Sequence, residues 1–264
     1  MSAYTEKDLE YMFFDNRPYQ KECVNYLGQL ESGTKYNEYI ARLVKTSKFN
    51  IVKYEKTRKN FKFCHNSFDI DPNSEKGLCR RFCYKKEFFD ENVNYMLGMP
   101  IEYEINIVEN TKINIDMASF NERENCMYII EVKGKKEKDD KFYSTSETLL
   151  RCILEIETYY QSILPKKDVL LKDILNDKYN QNTELRKAIL IPSDSFAADQ
   201  IGKEKEKFET VNQLLVDYDI KVAVYDKNIK VDWLYILYID SNLIIVQYII
   251  FWKLPMQKNK QYII

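Results

Sequence analysis

The feature that most constrains the fold is the order of secondary structure that the hydrophobic pattern predicts for residues 80–226. Apolar residues recur with helical spacing or alternate as in strands, and Gly and Pro separate the segments. The predicted order is a helix (80–97), three strands (101–108, 112–120 and 126–134), a helix that starts at a Ser144–Glu147 capping box and stops at Pro165, a strand (187–192), a helix (196–218) and a strand (220–226). This order predicts an α/β fold with a central mixed β-sheet flanked by helices.

The segments on either side of this core differ from it in character. Residues 1–79 form an N-terminal extension of helical and mixed character, which can pack on the core, and residues 227–264 form an apolar C-terminal hairpin or tail. The one long apolar run, 233–254, is interrupted in its middle by Asp240–Asn242. Polar groups at that depth favour two strands and a turn over a membrane span.

Composition limits the classes of protein that the chain can represent. The formal net charge of −1 provides no overall positive field for a polyanion. The N-terminus lacks the apolar core of a signal peptide, and the six irregularly spaced cysteines are expected to be reduced thiols in a cytoplasm. Cys64, His65, Cys79 and Cys83 are potential zinc ligands, although buried thiols are the competing interpretation of this loose spacing.

Charged residues interrupt the end of the apolar strand YIIEVKGKK, residues 128–136. Because side chains alternate along a strand, Glu131 and Lys133 face the same way. The preceding strand carries Asp116, and the short turn NEREN makes the two strands a hairpin, so Asp116 can lie beside Glu131. The competing interpretation is a solvated edge on which these residues are surface charges.

The hairpin interpretation gives these residues a definite chemistry. Two carboxylates and the backbone carbonyl of Val132 form an oxygen-only site suited to Mg²⁺, with Mn²⁺ as a substitute. An adjacent ammonium group can position a water molecule and stabilise charge on a phosphate. A phosphodiester hydrolase needs these parts together. His65 is the only histidine, which argues against a histidine-dependent mechanism.

With these residues in this order of elements, residues 80–226 resemble the PD-(D/E)xK nuclease superfamily and its restriction-endonuclease-like fold, although Ile115 stands where the name-giving proline would be. The resemblance implies that Asp116 and Glu131 bind the metal ion and that Lys133 is the catalytic lysine. It also implies a further acidic ligand upstream. The candidates are Glu87, Glu91 and Glu104.

Some branches of the superfamily carry a QxxxY pattern on the helix after the lysine. The segment EIETY matches this pattern with Glu155 in place of Gln and with Tyr159 as the tyrosine. Glu155 can either bind metal or form a salt bridge. Arg151, one turn earlier on the same helical face, can contact a phosphate.

The resemblance implies a Mg²⁺-dependent endonuclease that cleaves DNA in bacterial or phage defence or in DNA processing, without a small-molecule cofactor. It also implies a homodimer, because cutting two strands needs two sites. A basic stretch with interleaved aromatic residues suits a phosphate backbone, although a solvated strand face explains it equally well. Its basic residues are Lys53, Lys56, Arg58, Lys59 and Lys62. The alternative function is a non-catalytic binding or assembly module on a nuclease-like fold.

Overall fold

The computed structural model describes residues 33–45, 57–63, 74–86, 88, 91–108, 113–134, 136–138, 141–143, 148–225, 234–240 and 243–249. The strands are β1 (Thr57–Phe63), β2 (Met99–Val108), β3 (Asn114–Asn121), β4 (Cys126–Val132), β5 (Lys136–Lys138), β6 (Lys141–Tyr143), β7 (Glu184–Pro192), β8 (Ile220–Tyr225), β9 (Leu234–Asp240) and β10 (Leu243–Ile249). The helices are α1 (Gly33–Lys45), α2 (Glu75–Lys85), α3 (Glu91–Leu97), α4 (Leu149–Ile163), α5 (Lys167–Leu175), α6 (Phe196–Ile201) and α7 (Glu209–Asp217).

The centre of the fold is a mixed sheet in the strand order β1–β2–β3–β4–β7–β8–β9–β10. Strands β2, β3 and β4 are antiparallel neighbours, whereas β4, β7 and β8 are parallel. Each parallel step needs a long crossover, which α4 and α5 supply between β4 and β7, and α6 and α7 between β7 and β8. The predicted α/β fold with a mixed sheet flanked by helices is therefore confirmed.

Helices cover both faces of the central strands. Ile129, Ile189 and Val222 lie in the apolar cluster that packs against α4, α5 and α7. Ile130 and Leu190 point to the opposite face, where α2 and α3 cover them. All residues of β4 are buried, which explains why its sequence is apolar without alternation until the charges at its end.

Additional strands extend the sheet at both edges. The backbone of β1 pairs antiparallel with β2. At the other edge β9 pairs with β8, and β10 pairs antiparallel with β9 in the register Leu243 opposite Asp240. The apolar run 233–254 therefore contains two antiparallel strands, β9 and β10, as the polar residues in its middle predict. Among the described helices, none combines the length and the apolar character that a bilayer crossing needs.

Three predicted helices have different boundaries in the structure. The helix predicted over 80–97 is two helices, because Lys86 adopts a left-handed conformation (φ 57°) and caps α2. The next helix begins with Thr148 as its N-cap, and the capping box predicted at Ser144 and Glu147 lies outside the described residues. The helix predicted over 196–218 breaks between α6 and α7. The side-chain amide of Asn212 in α7 donates to the carbonyls of Gln200 and Phe208 at 3.0 and 2.9 Å.

Candidate active site

The acidic and basic residues that the sequence predicts at the site meet where β3 begins and β4 ends. Asp116 lies near the start of β3. Glu131 lies at the carboxyl end of β4, and Lys133 directly follows that strand. The register of the hairpin places Met117 opposite Ile130, so that Asp116 falls opposite Glu131. The two strands therefore bring all three residues to the same end of the sheet.

The carboxylate of Asp116 bonds to the end of β4. Its Oδ2 accepts the N–H of Val132 at 2.9 Å. Because the N–H and C=O of one residue in an extended strand point to the same edge, the carbonyl of Val132 also faces β3. The backbone oxygen that the sequence assigns to a metal ion thus lies on the same side of β4 as Asp116.

Lys133 forms a buried ion pair with Glu131 and a second one with Glu155. Its Nζ donates to Oε1 of Glu131 and, at 3.2 Å, to Oε2 of Glu155 on α4. Only 2% of Glu131 and 4% of Lys133 is exposed to solvent. These residues are therefore not the surface charges of a solvated edge. Arg151, one turn before Glu155, lies 3.5 Å from the same oxygen of Glu155.

Glu75, at the start of α2, also reaches this site. Its Oε1 accepts the N–H of Gly134 at 3.1 Å. A Cβ atom on Gly134 would lie 2.7 Å from Cγ and 3.1 Å from Cα of Glu75, so α2 can approach this closely only because residue 134 is glycine. Glu75 is not among the residues that the sequence predicts at the site. Its signal is Ser74, an N-cap residue whose hydroxyl accepts the N–H of Gly77 and which starts the helix at Glu75.

The two described residues among the three upstream acidic candidates for metal ligands make other contacts or are exposed. Glu87 lies outside the described residues, and Glu91 is exposed at the start of α3. Glu104 lies in β2 with a left-handed backbone (φ 53°), and its Oε2 is 3.3 Å from Nζ of Lys76. The upstream carboxylate that does lie beside the end of β4 is Glu75.

Burial and mutual repulsion shift the proton affinity of two carboxyl groups at the site. Burial raises the pKa of Asp116 to about 8, and the charges of Glu75 and Glu155 add to this effect while Lys133 opposes it. Burial also raises the pKa of Glu131 well above its usual value, and the neighbouring Asp116 and Glu155 raise it further. Both shifts favour the neutral form of these carboxyl groups relative to a carboxyl group in water.

The carboxyl group of Glu155 behaves in the opposite way. Burial alone would raise its pKa, but Lys133 and Arg151 outweigh that effect and hold the pKa below its usual value. The site as a whole contains the carboxylates of Asp116, Glu131, Glu155 and Glu75 and the cations of Lys133 and Arg151. Because the carboxylates outnumber the cations, the cluster is expected to take up a proton or a positive ion.

The main chain of Lys133 is fixed on both sides. Its N–H donates to the carbonyl of Leu190 on β7 at 2.9 Å. Its carbonyl accepts the buried hydroxyl of Tyr225, at the end of β8, at 2.7 Å. The next N–H in the chain is the one that binds Glu75. Contacts from β7, β8 and α2 therefore hold the backbone from which the lysine side chain extends.

The other predicted residues differ in how far the structure describes them. Tyr159 lies on the buried side of α4, in the cluster beneath the sheet, and Arg151 is half-buried at the site. Cys79 and Cys83 are free thiols whose pKa values are raised by burial. Several predicted residues lie outside what the structure describes: Lys53, Lys56, Cys64 and His65 entirely, and Arg58, Lys59 and Lys62 of β1 in their side chains.

The chemistry of the oxygen atoms at the site fits a divalent cation. Oε2 of Glu131 is buried and has no hydrogen-bond partner among the described residues. An unpaired buried oxygen is costly, and a hard cation would satisfy it. In the part of the chain that the structure describes, no three His, Cys, Asp or Glu side chains form a metal-binding group. Asp116 and Glu131 would therefore hold such an ion with a backbone carbonyl and water, as Mg²⁺ permits.

Comparisons with known proteins identify no relative of this chain. A scan against protein-family models finds no match, and neither a curated protein nor a solved structure matches the chain. The functional assignment must therefore come from the geometry and the charge of the site.

Proposed function

We propose that this chain is a Mg²⁺-dependent endonuclease that hydrolyses phosphodiester bonds in DNA. The observation that carries the proposal is the convergence of Asp116, Glu131 and Lys133 at the end of one β-hairpin. Two carboxylates with a lysine beside them, flanked by Glu75 on α2 and Glu155 on α4, are the parts that metal-assisted phosphodiester hydrolysis requires.

Each residue has a distinct role in this proposal. Asp116 and Glu131 hold Mg²⁺, or Mn²⁺ in its place, together with the carbonyl of Val132. When bound, the ion neutralises charge that develops on the scissile phosphate and lowers the pKa of a bound water. Lys133 orients the attacking water and stabilises the negative charge of the phosphate. The contact with Glu155 keeps the ammonium group of Lys133 at the carboxylates.

We further propose that the core is restriction-endonuclease-like and that the chain is a member of the PD-(D/E)xK superfamily. The order of elements supports this: a helix, the antiparallel strands β2, β3 and β4, the crossover helix α4 and the parallel strand β7. The resemblance implies an additional acidic residue upstream of these strands, and Glu75 supplies one at the start of α2, although α3 lies between α2 and β2. A homodimer that acts in bacterial or phage defence or in DNA processing belongs to the same proposal.

A cleavage assay with purified full-length chain tests the proposal. Supercoiled plasmid, linear duplex and single-stranded DNA and RNA are incubated with Mg²⁺, with Mn²⁺ or with EDTA. We expect metal-dependent cutting of DNA, and a loss of rate of about 100-fold or more in Asp116→Ala, Glu131→Ala and Lys133→Ala. Lys207→Ala is the matched control, because it removes a lysine from an exposed ion pair with Glu204.

Circular dichroism and thermal unfolding establish that each variant is folded. Cutting at the wild-type rate by folded Lys133→Ala protein in Mg²⁺ would refute the assignment. Cutting of RNA but not DNA would replace the proposed substrate, while leaving the role of the carboxylates in place.

A non-catalytic binding or assembly module on the same fold is the second candidate. The observation that favours it is Glu155, which stands where the superfamily pattern has Gln and engages the ammonium group of Lys133. Calorimetric titration with Mg²⁺ and Mn²⁺ separates the two candidates. A binding module is expected to release no heat that depends on Asp116 and Glu131, whereas the nuclease is expected to bind either ion and to lose that binding in Asp116→Ala.

A further inference from the structure

Helix α2 carries a basic face that the proposed catalytic roles do not use. Its buried residues, among them Leu78, Cys79 and Phe82, pack on the sheet. The residues on the other side are exposed, and we call them the α2 basic face: Arg80, Arg81, Tyr84, Lys85 and the adjoining Lys86. Positions 80, 81, 84 and 85 share one side of a helix because residues four apart are neighbours on its surface.

The α2 basic face begins close to the candidate active site. Glu75, the first residue of α2, bonds to Gly134 immediately after Lys133. With a rise of 1.5 Å per residue, Arg80 lies about 8 Å and Lys85 about 15 Å along the helix from Glu75. The positive charges therefore form a line that starts one to two helical turns from the site and leads away from it.

The exposed charged residues of α2 and Lys86 are all basic. Glu75 is the only acidic residue of α2, and it lies at the site. Lys76 is half-buried and lies 3.3 Å from Glu104, so it is not part of the exposed basic face.

Another exposed charged segment of the same chain shows a different pattern. In the connection between α6 and α7, Lys203 lies 3.0 Å from Asp199 and Lys207 lies 2.9 Å from Glu204. Opposite charges alternate there, as on an ordinary solvated surface. On α2 the exposed cations follow one another, and the side chain of Tyr84 is 89% exposed among them. Exposed aromatic rings between cations are a feature of surfaces that contact nucleic acids.

We propose that the α2 basic face binds the phosphate backbone of the DNA and leads it to the carboxylates at the end of β4. This inference rests on the proposed nuclease function and specifies where its substrate is held. One strand of duplex DNA carries a phosphate every 3.4 Å along the helix axis, so the roughly 7 Å from Arg80 to Lys85 matches about two phosphate steps. The overall charge of −1 makes this local concentration of cations the source of attraction.

The test is the salt dependence of DNA binding, measured without cleavage. Full-length protein in EDTA is titrated into a fluorescein-labelled duplex of about 20 base pairs at several NaCl concentrations, and binding is followed by anisotropy. Each phosphate contact adds about 0.9 to the slope of log K against log salt. Arg80→Ala/Arg81→Ala is expected to lower that slope by about 2 and to weaken binding at 100 mM salt by about tenfold or more.

Two controls make the result specific. Lys172→Ala/Lys178→Ala removes the same charge from exposed positions in and after α5, on the opposite face of the sheet, and should leave affinity and slope unchanged. Arg80→Lys/Arg81→Lys retains the positive charge and should recover most of the slope. Tyr84→Ala should weaken binding by roughly fivefold with little change in slope, since stacking is not a counterion effect.

Wild-type affinity and slope in Arg80→Ala/Arg81→Ala, or no binding of the duplex by the wild-type chain, would overturn this inference. The outcomes also separate it from the nuclease proposal. Cleavage in Mg²⁺ that is unaffected by the double substitution leaves the nuclease and removes the α2 contact. Binding that depends on α2, with no cleavage in any metal ion, leaves the contact and removes the nuclease.

Discussion

Asp116 should make the metal-free protein less stable as the pH rises. Its pKa moves from an ordinary value of 3.8 to about 8 in the folded protein, chiefly through burial. Because the folded state then holds the proton more tightly than the unfolded chain does, the stabilisation is complete below about pH 4 and is lost as the pH rises through about 8. At about 1.4 kcal/mol per pKa unit the limit is about 6 kcal/mol, and partial solvent access to Asp116 reduces our expectation to about 3 kcal/mol.

Asp116→Asn isolates this effect. The amide keeps an oxygen that can accept the N–H of Val132, but it does not ionise. In urea unfolding with EDTA, we expect the free energies of unfolding of wild type and variant to be similar at pH 4 and to differ by about 3 kcal/mol in favour of the variant at pH 9. Asp177→Asn, at an exposed position, is the control and should change neither value.

Magnesium should reverse the loss in the wild-type protein only. At a concentration 100 times its Kd, a bound ion stabilises the fold by about 2.7 kcal/mol, which nearly offsets the cost of ionising Asp116 at pH 9. The reasoning fails if the metal-free wild type is as stable at pH 9 as at pH 4, or if Asp116→Asn is the less stable protein at pH 9.

Three further substitutions test how the site and its surroundings are held. Tyr225→Phe removes the hydroxyl that donates to the carbonyl of Lys133, and we expect a loss of about 1–3 kcal/mol in denaturant unfolding and slower cleavage at unchanged DNA affinity. Gly134→Ala introduces a Cβ that contacts the neighbouring helix at 2.7 Å, and thermal unfolding should show a loss of about 1–3 kcal/mol. Lys187→Met leaves Glu157 as an unpaired buried charge, because their ion pair of 2.6 Å is lost. It should cost about 3–5 kcal/mol, and Lys187→Met/Glu157→Leu should recover most of that loss in urea unfolding.

The local part of the site could be predicted from sequence because it depends on short-range rules. Alternation along β4 places Glu131 and Lys133 on one side, and the tight turn between β3 and β4 fixes which residue faces Asp116. The same periodicity predicts the strands and helices that make the mixed sheet. These features depend on neighbours in the chain, so the pattern of residues is enough to find them.

The contacts that complete the site join residues far apart in the chain. Glu75 reaches Gly134 across 59 residues, and Tyr225 reaches Lys133 across 92. Hydrophobic periodicity contains no information on such pairs, because they depend on how α2 and β8 pack on the sheet. Glu75 in particular precedes the segment in which the helical pattern becomes regular.

Backbone conformation explains the remaining differences. Lys86 and Glu104 have φ values of 57° and 53°, a region that residue types other than glycine rarely adopt. Nothing in their side chains indicates this, so the predicted helix continues through Lys86 and Glu104 is treated as an ordinary strand residue. The structure instead ends α2 at the first position and turns the second toward Lys76.

The hydrogen bond between Tyr225 and the backbone of Lys133 also determines when the site is completed during synthesis. During synthesis Asp116, Glu131 and Lys133 leave the ribosome well before Tyr225, which the finished fold uses to bind the lysine carbonyl. A nascent chain that stops short of β8 therefore contains these three residues but lacks the tyrosine that binds the backbone of Lys133. For the proposed nuclease, this order of events would delay cutting of DNA until the core is fully synthesised.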